Sequence, residues 1–169
     1  MFRNNPEKRK KLHMWSLYAL SFAVLFLLQS VLLSRIDIWG VHPDLLPVLT
    51  ACVAVLCGAE SGGIFALCTG LAWAMGGGSD GGVTVVTLTV TAVAAGYLCD
   101  AVLHRNLLTA MLMCLMTMLV TFFAIYLVRI YMDGAGLWGI GKCLLQTAIS
   151  LVPAPGIFYL ARRIRKVGP

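Results

Sequence analysis

Residues 14–33 read MWSLYALSFAVLFLLQSVLL, twenty positions without a charge. At about 1.5 Å per helical residue this stretch is about 30 Å long, which matches the hydrocarbon core of a bilayer. Five cations, Arg3, Lys8, Arg9, Lys10 and Lys11, stand just before it. A basic segment followed by an apolar one is also how a secretory leader begins, but a leader has an apolar run of about 7–15 residues and an A-x-A-like cleavage site. This run is longer and no such site follows, so it reads as an uncleaved first membrane helix.

The rest of the chain has the same character. Of its 169 residues, 60% are hydrophobic and 12% charged, whereas a soluble domain carries about a quarter charged residues. That composition excludes a water-soluble globule, and the length suits one domain. Five further apolar runs follow, at about 43–57, 61–76, 83–103, 107–131 and 140–160. The second and third are separated by Gly58-Ala59-Glu60 and read as a helical hairpin. The fourth is rich in Thr and Val, which favour strands in water. In lipid an open strand leaves its backbone groups unpaired, so the run is expected to be helix. Pro153 and Pro155 remove backbone donors and should kink or break the sixth. The expected fold is thus an all-α integral membrane protein with six transmembrane helices in one domain over 1–169, with short basic tails at about 1–13 and 161–169.

Orientation follows from the cations, since Lys and Arg close to span ends stay on the cytoplasmic side. With six spans, the five N-terminal cations, Arg105, and Arg162, Arg163, Arg165 and Lys166 fall on one side. Arg35, Arg129 and Lys142 fall on the other. Both termini are therefore expected in the cytoplasm. The net charge of +6 has this topogenic explanation, with an attraction of about 1 kcal/mol per basic residue to anionic inner-leaflet lipid. Membrane lipid is a partner on this reading, and no nucleic-acid partner is needed.

The residues do not assemble into an expected active site. Cys52, Cys57, Cys68, Cys99, Cys114 and Cys143 lack C-x-x-C spacing and fall within the apolar runs, so they read as small apolar packing residues. His13, His42 and His104 lie near span ends and share no ligand spacing with them. Gly76-Gly77-Gly78-Ser79-Asp80-Gly81-Gly82 lacks the Lys-Ser/Thr ending of a phosphate-binding loop and reads as a turn. Asp100, near Arg105, reads as an interfacial ion pair or snorkelling carboxylate rather than a proton relay. Arg35, Asp37 and Asp44 lie in or beside the loop after the first helix, where an ion pair is the default. No catalytic residue, cofactor or metal site is expected, and the chain is expected not to be an enzyme.

Helix packing is more legible. Ala66, Gly70 and Ala74, and Ala92 with Gly96, are small residues at i, i+4 spacing, which lets helices approach closely. Thr84, Thr87 and Thr91 share a face that leads into Ala94-Ala95 and permits close approach and interhelical hydrogen bonds. Met111, Met113, Met116 and Met118 are spread around their helix, facing lipid and core. Lys142, Gln146 and Ser150 form a polar stripe ahead of Pro153, of the kind that lines a cavity in transporters.

Leu28-Gln29-Ser30-Val31-Leu32-Leu33, then Ile38-Trp39-Gly40-Val41 and His42-Pro43-Asp44-Leu45-Leu46, resemble the rod shape-determining protein MreD family. There, a first helix ending in Leu-Gln-Ser leads to a Pro-Asp-Leu start of the second. Gly62-Gly63, Gly70-Leu71, Gly96-Tyr97-Leu98 and the final helix with Pro153, Pro155 and Arg162-Arg163 extend the likeness. Two departures stand out. Ala72, Trp73, Ala74 and Met75 occupy the stretch where the family often carries an acid, and His42 stands where many relatives have Ser.

The resemblance implies a compact bundle similar to the substrate-binding subunits of energy-coupling-factor transporters, in the bacterial cytoplasmic membrane. It implies a non-catalytic scaffold of the cell-elongation (rod) complex that supports cell shape and lateral peptidoglycan synthesis. The partners would be a bitopic MreC-like protein and, indirectly, an MreB-like filament and cell-wall synthesis enzymes. Gln29, Arg35, Asp37, Pro43 and Asp44 are the candidate partner-facing or structural residues, with the outer loop from Ser34 to Pro43 and the lipid-facing sides of the first two helices as the expected partner-facing elements. The alternative, suggested by the shared fold, the Gly-rich turn and the Lys142/Gln146/Ser150 stripe, is a vitamin-like ligand-binding subunit of such an importer.

Overall fold

The structure, a computed structural model, describes residues 6–31, 42–75, 81–101, 106–133 and 139–166. Among these residues the chain forms seven helices and no strand: α1 (Pro6–Val31), α2 (Leu46–Cys57), α3 (Ala59–Met75), α4 (Gly81–Ala101), α5 (Leu107–Asp133), α6 (Gly139–Leu151) and α7 (Ala154–Arg165). Among the described residues each of the six apolar runs contains helix, including the Thr/Val-rich one. The last is divided where the prolines fall, and α6 and α7 meet at a 48° bend.

The number of crossings is less plain than six. Among the described residues, α1, α4 and α5 are long and apolar enough to cross a membrane, and the bent α6–α7 pair makes a fourth if it acts as one span. The twelve residues of α2 reach about 18 Å, well short of a bilayer core. Its surroundings explain how so short a helix is accommodated. Every residue from Leu46 to Leu56 is buried, and α2 touches α1, α3, α4, α5 and α7. A helix that is apolar all round is covered either by protein or by lipid, and here other helices form the sheath. Val48, Leu49, Val53 and Leu56 pack in one cluster with Met113, Met118 and Phe122 of α5 and Ile157 and Phe158 of α7.

The expected hairpin of α2 and α3 is present, and its corner is Gly58. This residue has φ of 91°, a left-handed conformation that glycine adopts without the penalty a Cβ brings. Its N–H closes α2 on the Ala54 carbonyl at 3.0 Å, and its own carbonyl accepts the Gly62 N–H at 2.9 Å to start α3. One residue thus ends one helix and begins the next.

The small residues do what their spacing implied. A Cβ on Gly62 would strike the backbone of Ala54, and one on Gly96 would lie 2.5 Å from the Ala59 Cα. Gly70 backs onto Val85 of α4, with 2.9 Å from an added Cβ to the Val85 Cα, and Ala74 backs onto Gly81. These close approaches zip α2, α3 and α4 together by van der Waals packing, the force available where lipid tails are as apolar as leucine. The threonines behave differently from expectation. Thr87 donates to the Val83 carbonyl and Thr91 to the Thr87 carbonyl, both at 2.7 Å. Both hydroxyls turn back into their own helix, the usual option for Ser and Thr within helices.

Outward, the bundle is apolar. Leu20, Val24 and Leu27 of α1, Ile64, Leu67 and Leu71 of α3, Val86 and Val90 of α4, and Leu112, Met116 and Phe123 of α5 are exposed. Met113 and Met118 are buried while Met116 is exposed, so the methionines divide between core and periphery. α1 is the least embedded span: 6% of its apolar window is buried, against 39% for α5.

Candidate functional site at the Gln29 and Asp44 junction

The two pieces of sequence that carry the family resemblance meet in space. Gln29 lies in the last turn of α1, and Asp44 precedes α2. Gln29 Nε2 donates to Asp44 Oδ1 at 2.9 Å, while its Oε1 accepts the Leu45 N–H at 3.1 Å. One carboxamide therefore grips both a side chain and a backbone donor at the start of α2. The leading N–H groups of a helix have no partner inside it, and no side chain of the N-cap residue, Leu45, supplies one. Gln29 meets part of that need from another helix.

The opposite oxygen is held from α6. Gln146 Nε2 donates to Asp44 Oδ2 at 2.8 Å and to the His42 carbonyl at 3.2 Å. Ser150 Oγ, fully buried, accepts the Asp44 N–H at 2.9 Å. Gln146 and Ser150 are one helical turn apart and reach the same residue because they share a face. Lys142, the third member of that stripe, is exposed. The stripe thus packs on the Asp44 segment.

Asp44 is buried. A buried carboxyl group is costly unless hydrogen-bonded. Here carboxamides bond the carboxyl group, one on each oxygen; the expected ion pair with Arg35 falls outside the described residues. Among the described residues no buried side-chain nitrogen or oxygen lacks a partner. Pro43 is also buried, next to the clamp. Arg35, Asp37 and the loop 32–41, the turn at 76–80, and His104 and Arg105 lie outside the described residues.

A second tie lies about 17 Å back along α1. Tyr18, fully buried, donates its hydroxyl to the Ala161 carbonyl of α7 at 3.0 Å, and Cys57 Sγ approaches the same hydroxyl at 3.6 Å. The ring packs against Trp15 and Phe65. Sparsely packed α1 is therefore fastened at two points, one toward each end of α2. Gln29 and Asp44 were legible as candidates. Gln146 was seen only as part of a stripe, and the Tyr18 tie carried no motif.

Chemically, the junction is a clamp that joins α1, the 42–45 segment and α6. Its members are a carboxylate, two carboxamides, a hydroxyl and backbone groups, and among the described residues no group of three His, Cys, Asp or Glu side chains is placed to hold a metal. The cysteines pack: Cys52 and Cys114 are buried with sulfurs 3.7 Å apart, while Cys68 is exposed. No family model, curated protein or solved structure matches this chain.

Proposed function

We propose that this protein is a non-catalytic scaffold subunit of the bacterial cell-elongation complex, a member of the MreD family that supports rod shape and lateral peptidoglycan synthesis. The observation that carries the reading is the Gln29–Asp44 hydrogen bond. The Leu-Gln-Ser and Pro-Asp-Leu segments that resemble the family are not two isolated strings. They join in one clamp, buried at Asp44, that holds both ends of the connection from Val31 to His42, the segment that would be offered to a bitopic MreC-like partner. Arg35, Asp37 and the rest of that connection would be the partner-facing part, with Gln29, Pro43 and Asp44 as its frame.

On this reading the chain crosses the membrane six times, in a bundle similar to the substrate-binding subunits of energy-coupling-factor transporters. Two features support it: α2 is sheathed by helices, and α3 presents the apolar Ile64, Leu67, Leu71 and Met75 outward. The chain would lie in the bacterial cytoplasmic membrane with both basic ends facing the cytoplasm, and the MreB-like filament and wall enzymes would be reached through the complex.

The test is depletion in the host cell, together with affinity capture of the full chain from its membranes. Rounded cells and co-capture of the bitopic partner are expected. Rod shape that persists through depletion, with that partner still assembled, would overturn the proposal. A vitamin-sized molecule retained through purification, with an uptake defect on deletion, would replace it with the importer reading.

A further inference from the structure

We propose that the start of α1 and the end of α7 together form one binding site for the headgroup of an anionic phospholipid. This inference rests on the membrane placement of the helices and is independent of the scaffold role.

The geometry follows from α2. Its beginning lies against Gln29 and its end against Tyr18, so α1 and α2 run in opposite directions. α7 starts just after Ser150, which bonds Asp44, and passes Tyr18 at Ala161. It therefore runs with α2 and against α1. Walking back from Tyr18 along α1 and forward from Ala161 along α7 leads out of the same end of the bundle. Arg9, Lys10 and Lys11 lie about 10–14 Å along the first path, and Arg162, Arg163, Arg165 and Lys166 about 2–8 Å along the second. Segments that open and close the sequence are neighbours in space.

All seven cations are exposed except Arg165, which is half-buried, and Glu7 is the sole acidic residue among the described residues of the two helices. Such a patch attracts anions, and guanidinium groups suit phosphate because their N–H donors match its oxygens in pairs. The neighbouring surface selects a lipid over a soluble polyanion. Leu12, Tyr159 and Leu160 are exposed directly beside the cations, at 73%, 58% and 43%. Tyrosine is enriched where hydrocarbon meets headgroups. The molecule that satisfies both halves has a phosphate at one end and acyl chains at the other.

The experiment titrates fluorescent phosphatidylglycerol, or phosphatidylcholine with the same chains, onto the full chain in an uncharged detergent. Saturable binding of the anionic lipid alone is expected, and it should be lost in 1 M salt, where the screening length falls to about 3 Å. At about fivefold per cation near the surface, the triple variant R162Q/R163Q/R165Q weakens binding on the order of a hundredfold. R9Q/K10Q/K11Q weakens the same single site, and Lys142→Gln at the opposite end leaves it unchanged. Equal binding of the two lipids overturns the proposal. So does the loss of a separate lipid in each triple variant, or displacement of the lipid by inorganic polyphosphate at equal phosphate concentration. The salt arm needs no variant and stands whether or not the substituted chains fold.

Discussion

Replacing Asp44 by alanine tests the clamp most directly. The substitution leaves the Nε2 of Gln29 without its partner at 2.9 Å and removes the 2.8 Å acceptor of Gln146 Nε2, which keeps only the longer bond to the His42 carbonyl. Both bonds are only part-buried, so water reaches the freed donors and each bond counts at its net worth of about 0.5–1.5 kcal/mol. Together the loss should total about 1–3 kcal/mol. For a chain of this length, at about 2–4 °C per kcal/mol, melting in detergent should fall by roughly 2–12 °C. Asn at the same position preserves volume but turns one oxygen into a donor facing a carboxamide donor, so it should lie between wild type and alanine. Pairing Asp44→Ala with Gln29→Leu isolates the contact: the double variant should be less damaging than the sum of the singles by at least about 1 kcal/mol, the coupling expected of directly bonded side chains. An alanine variant that melts within 1–2 °C of wild type, or strict additivity in the cycle, would refute the view that Asp44 holds the junction.

Three further outcomes follow from the packing. Gly96→Ala should destabilise by about 1–3 kcal/mol, because its methyl meets the Ala59 backbone and neither helix can yield cheaply. Gly82→Ala, where nothing lies within 4 Å of the added Cβ, should be neutral or stabilise by up to about 1 kcal/mol; a common melting assay compares the two, and equal losses would contradict the zipper. Tyr18→Phe should cost about 1–2 kcal/mol by removing the bond to the Ala161 carbonyl while keeping the ring, and limited proteolysis should then find the N-terminal end of α1 cut sooner. Gln146→Glu should destabilise more than Gln146→Leu, since it sets a second carboxylate against Asp44; the reverse order in thermal melts would argue against an ionised Asp44.

Much of the architecture was legible because lipid simplifies the rules. Apolar length marks helices, proline marks the break between α6 and α7, and small residues at i, i+4 mark the α2–α3–α4 contact. Two things were hidden for physical reasons. The run at 43–57 reads as a short span by composition, because apolar residues look alike whether lipid or protein covers them. Its complete enclosure depends on five other helices. The partners of Asp44 were also out of reach. Gln29 and Gln146 stand 15 and 102 residues away, and local periodicity carries no signal at such separations. Thr87 and Thr91 failed expectation in the other direction, because their own helix offers a carbonyl at bonding distance before any neighbour can.

The enclosure of α2 also constrains how the molecule is made. A ribosome delivers α7 well after α2, so one wall of the enclosure is absent while the intervening helices are made. Until residues 154–165 emerge, the side of α2 that will meet Ile157 and Phe158 faces lipid or the insertion machinery. The nascent chain therefore carries a half-wrapped central helix, and completion of the core is a late event in biogenesis.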